Sequence, residues 1–136
     1  MTLWHYTDRN RHARIGANGL LLPPRLTASR TSRMWTLPDW AQLRLDLIWL
    51  TDLDYPMREA LGLTMHAIAN DRTEIRYRVT QPAAKPQPIA WMKFRRHLDP
   101  RLVEDLELAP GAMPAHWYVA TAPVRVQFDP LPALVH

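Results

Sequence analysis

Hydrophobic positions recur along the chain with two periods, and each period predicts a different element. Strict alternation over residues 73–79 sets Ile75, Tyr77 and Val79 on one face and Glu74, Arg76 and Arg78 on the other, the signature of a half-exposed strand. Residues 3–6 predict a short opening strand. The nearly continuous apolar run 45–51 predicts a buried central strand. Residues 116–120 and 124–128 predict two more, joined at Thr121-Ala122-Pro123. Helical spacing appears at Met57, Leu61, Met65 and Ile68, after Pro56 and before Asn70. A helix over residues 8–17 is predicted from Thr7 or Asp8 as N-cap and Gly19 at the C-cap position, with Leu20, Leu21 and Leu22 turning the chain back. Asp99 followed by Pro100 predicts the start of a short helix carrying Leu102, Val103 and Leu106. Strands in both halves with helices between them predict one α+β domain over residues 1–136.

Composition narrows the classes. The chain has 136 residues, no Cys, 4 Gly and 13 Pro. Without Cys there is no disulfide framework, thiol nucleophile or thiolate zinc site. Four glycines supply no Gly-rich phosphate cradle, and the P-loop, dinucleotide-binding and Ser-hydrolase motifs are absent from the sequence. No two His residues stand four apart, as a helical metal pair requires. The first residues lack a basic stretch followed by an apolar one, and no apolar run approaches the roughly 20 residues of a membrane span. The expected location is therefore the cytoplasm, with neither membrane nor metal involved. The proline-dense stretch 81–88 predicts a stiff surface loop.

The net charge is +4, and every cation except Lys85 and Lys93 is Arg. Arg in place of Lys has two readings, a guanidinium fork suited to phosphates and carboxylates, or a GC-rich coding sequence. Arg25, Arg30 and Arg33 stand among Ser29, Thr31 and Ser32, near Trp35 and Trp40. Such a loop offers charge-assisted bonds to a pyrophosphate or nucleic-acid backbone, with Trp for stacking. Arg76 and Arg78, then Arg95 and Arg96, extend the positive surface. Asp52 and Asp54 serve a cation or, more commonly, cap the following helix. His116-Trp117-Tyr118 is either a stacking platform or a strand with one ring in the core.

The opening Leu3-Trp4-His5-Tyr6-Thr7, a predicted helix, and then Ala17-Asn18-Gly19-Leu20-Leu21 resemble the start of the ADP-ribosyltransferase-like superfamily. The nearest groups are the DarT-type nucleic-acid ADP-ribosyltransferases and the tRNA 2′-phosphotransferases. Ile48-Trp49-Leu50-Thr51 resembles the superfamily's second motif, with Trp49 where Tyr is usual, and residues 114–124 resemble its late strands. The whole chain is also similar to small phage-encoded proteins, which would place it in an infected host cell.

The resemblance implies two small β-sheets split around a cleft, with NAD as co-substrate and no metal. His5 would hold the nicotinamide ribose, Thr7 the adenosine end, and Trp49 or Tyr6 an aromatic wall, with Thr51 beside them and Arg30 on the pyrophosphate. Glu107, then Glu104 or Glu74, would supply the carboxylate that completes a catalytic pair with His5. No Glu stands at the head of a late strand, where the superfamily places it. The implied activity is transfer of ADP-ribose to a macromolecule, nucleic acid before protein. The alternative is a binding module or inhibitor directed at a host protein, since Trp and Arg also dominate interface hot spots.

Overall fold

A computed structural model describes residues 1–7, 12, 15, 19–23, 39–55, 75–108 and 111–131. Seven strands form one curled antiparallel sheet in the order β2-β7-β4-β1-β3-β6-β5. They are β1 (Trp4–Thr7), β2 (Leu20–Leu21), β3 (Ile48–Thr51), β4 (Ile75–Val79), β5 (Ile89–Ala90), β6 (Trp117–Ala120) and β7 (Val124–Phe128). Among the described residues three short helices with both ends described accompany them, α1 (Asp39–Asp46), α2 (Trp91–Phe94) and α3 (Pro100–Leu106). Single 3-10 turns lie at Arg95–His97 and Pro114–His116. Among the described residues no helix is long and apolar enough to cross a membrane.

Alternation along each strand divides the side chains between two cores. One face collects Leu21, Ile48, Leu50, Tyr77, Ala120, Val124 and Val126, covered by Ile15 and edged by Leu3, Ile75 and Val79. The other collects Trp117 and Val119 with Leu47, Trp91 and Leu106 from the helical side, and half-buried Trp49, Leu43, Phe94 and Val103 around them. Trp91 is fully buried. Its ring centroid lies 5.1 Å from that of Trp49, and Trp49 meets Trp117 edge-on at 5.8 Å. Burying each ring contributes roughly 2–3 kcal/mol, so this cluster anchors the helices to the three-stranded half of the sheet.

The ladder is uneven. β1 and β4 pair over four positions and β3 and β6 over four, whereas β1 and β3 pair only at Trp4 and Thr51. The sheet is thus a four-stranded group, β2-β7-β4-β1, and a three-stranded group, β3-β6-β5, meeting at a seam closed by one residue pair.

Several expected elements sit where their pattern put them. The strand at 75–79 buries Tyr77, Asp99 Oδ1 accepts the Arg101 N–H at 2.9 Å as the α3 cap, and Gly19, at φ 60°, donates its N–H to the Ile15 carbonyl at the C-cap position. The apolar run at 45–51 is shorter as a strand than expected. Its first two residues belong to the end of α1, because Leu43 and Leu47, one turn apart, both pack on the Trp cluster. β6 and β7 follow each other in sequence yet enter different groups, so Thr121-Ala122-Pro123 crosses the sheet and does not close a hairpin. The helix expected at 56–70 lies outside the described residues. Of the one at 8–17, His12 and Ile15 are described, both helical.

Candidate functional site

The seam gathers most of the expected residues, and the register decides which face each takes. Trp4 pairs with Thr51 and Tyr6 with Arg76, so Trp4, Tyr6, Thr51, Trp49 and Arg76 share the helical face. His5 pairs with Tyr77, and Thr7 with Ile75, which puts both on the opposite face.

His5 nonetheless reaches across the opening. Its Nδ1 lies 2.9 Å from the Trp49 carbonyl oxygen, and a carbonyl accepts only a donor, so Nδ1 carries the proton. The imidazole occupies the place where the β1–β3 ladder has ended. Thr7 is buried, and among the described residues its Oγ1 has no hydrogen-bond partner. An unpaired buried hydroxyl costs on the order of 1–3 kcal/mol. On the same face the Tyr77 hydroxyl is shared between His12 Nδ1 and the His12 carbonyl, 3.1 Å away, and burial raises the Tyr77 pKa.

On the helical face the loop after β3 is held from four sides. Thr51 Oγ1 donates to the His116 carbonyl at 2.8 Å and accepts the Leu53 N–H at 3.1 Å. The Tyr6 hydroxyl donates to the Leu53 carbonyl at 2.8 Å. Burial pushes the Tyr6 pKa up to about 12, partly opposed by the Arg76 guanidinium. Arg76 donates to the carbonyls of Asp54 at 2.7 Å, Asp129 at 3.0 Å and Pro130 at 3.2 Å, and to Asp129 Oδ1 at 3.1 Å. Its guanidinium carbon stands 4.1 Å from the Trp4 ring centroid. The alternation put Arg76 on a polar, solvated face; the structure buries it as a tie between β4, the 52–54 loop and the chain after β7. Arg78, Arg125 and Gln127 remain exposed on that side of the sheet.

Beside Thr51, His116 Nδ1 lies 2.7 Å from Asp52 Oδ1. This pair was not legible in the sequence, where its members stand 64 residues apart. Only the β3–β6 register, which sets Thr51 opposite Trp117, makes them neighbours.

Glu107 lies elsewhere. It follows α3, accepts from the Trp91 indole N–H at 3.2 Å, and accepts from Arg95 Nη1 at 2.8 and 3.0 Å. These contacts belong to the Trp cluster on the helical face, whereas His5 points to the other. The expected His5–Glu107 catalytic pair is therefore not assembled, because the sheet stands between them. Glu104 is exposed on the same α3, and Glu74 and Arg30 fall outside the described residues. Trp49 is a half-buried member of the Trp cluster, its Nε1 donating to the Arg44 carbonyl at 3.1 Å, so it and His5 do not line one wall. Among the described residues no group of three or more His, Asp or Glu is placed to hold a metal ion. No family model, no curated protein and no solved structure matches this chain.

Proposed function

We propose that the chain is an ADP-ribosyltransferase-like protein that binds NAD at the seam between its two strand groups. The observation that carries this reading is the division of the sheet, with β1 and β3 joined only at Trp4 and Thr51 and the His5 imidazole spanning the opening to the Trp49 carbonyl. A strand pair that separates leaves backbone groups and side chains available to a ligand that a complete ladder would consume. Two small sheets around a cleft marked by His5 are what the resemblance of the opening motif implies. Thr7, buried on the strand that carries His5 with no hydrogen-bond partner for its hydroxyl among the described residues, fits a group awaiting a ligand partner. Tyr6 and Thr51 face the other side of the sheet, where their hydroxyls hold the loop after β3 in place. The acceptor is a nucleic acid, in keeping with exposed Arg78 and Arg125 on the polar face of the four-stranded group.

The test is the thermal midpoint in rising NAD for wild type, His5→Ala and Thr7→Val. Ligand at 100 times its Kd stabilises the folded state by about 2.7 kcal/mol. For a domain of this size that is a rise on the order of 8–10 °C. The rise should appear in the wild type and shrink in both variants. A wild-type midpoint unmoved by millimolar NAD refutes the reading and leaves the rival, a binding module for a host protein.

A further inference from the structure

We draw no further inference here: the strongest candidate, the polar face of the four-stranded group on which Trp4, Arg78 and Gln127 form one cross-strand row beside exposed Arg125, belongs to the nucleic-acid surface already proposed.

Discussion

Replacing Glu107 by alanine separates two roles for this carboxylate, the catalytic one the family resemblance implies and the structural one its contacts imply. The Trp91 ring is fully buried and its N–H has Glu107 Oε2 as acceptor at 3.2 Å. Leaving that N–H without an acceptor costs about 1–3 kcal/mol. The Arg95–Glu107 pair, with side chains 34% and 17% exposed, adds no more than about 1 kcal/mol after solvent screening. Glu107→Ala should therefore destabilise the fold by about 1–4 kcal/mol, a sizeable share of the 5–15 kcal/mol typical of a domain.

Urea unfolding followed by Trp fluorescence measures this. Glu107→Gln keeps an oxygen for the indole and loses only the charge, so it should cost under about 1 kcal/mol. In a Trp91→Phe background there is no N–H to strand, and Glu107→Ala should then cost only the ion pair, giving a coupling of about 1–3 kcal/mol between the two sites. A Glu107→Ala protein within about 0.5 kcal/mol of wild type, or a coupling near zero, would refute the clamp. Retained NAD binding in Glu107→Gln is expected as well, since the residue lies on the helical face away from His5.

Arg76→Leu should destabilise by about 3–5 kcal/mol, because it strands three carbonyls and Asp129 that the buried guanidinium now serves; a loss below about 1 kcal/mol in urea unfolding would refute it. Thr7→Val removes a buried hydroxyl with no partner among the described residues, so in the absence of NAD it should stabilise by about 1 kcal/mol in urea unfolding, and a loss of stability would show that the hydroxyl has a partner. The folded chain keeps the Tyr6 proton up to about pH 12, whereas the unfolded chain gives it up near 10. The folded state thus holds more protons in that interval, and Tyr6 contributes stability that is present below pH 10 and lost as pH rises toward 12. At about 1.4 kcal/mol per pKa unit, and with solvent screening at this half-buried ring, the loss is about 1–2 kcal/mol. Tyr77 and Tyr118, also raised by burial, act in the same sense, so the Tyr6 share is the difference in alkaline slope between wild type and Tyr6→Phe.

Periodicity determined the elements whose burial is local. The alternation from Ile75 to Val79, the Asp99-Pro100 helix start and the turn at Gly19 were legible because each depends on neighbours two to four residues away. The residues 45–51 were read as one strand because an apolar run carries no mark of where a helix ends; packing of Leu43 and Leu47 on the Trp cluster decides that. Burial of Arg76, the clamp of Glu107 on Trp91 and Arg95, and the Asp52–His116 pair arise from contacts between residues 12 to 64 positions apart. No local pattern encodes such pairings, because they follow from which strand lies beside which. The opening motif placed His5, Tyr6 and Thr7 on a strand, and the sheet then set His5 and Thr7 on one face and Tyr6 on the other. A strand's side chains alternate whatever their chemistry, so sequence names the residues of a site and register chooses which of them can share a ligand.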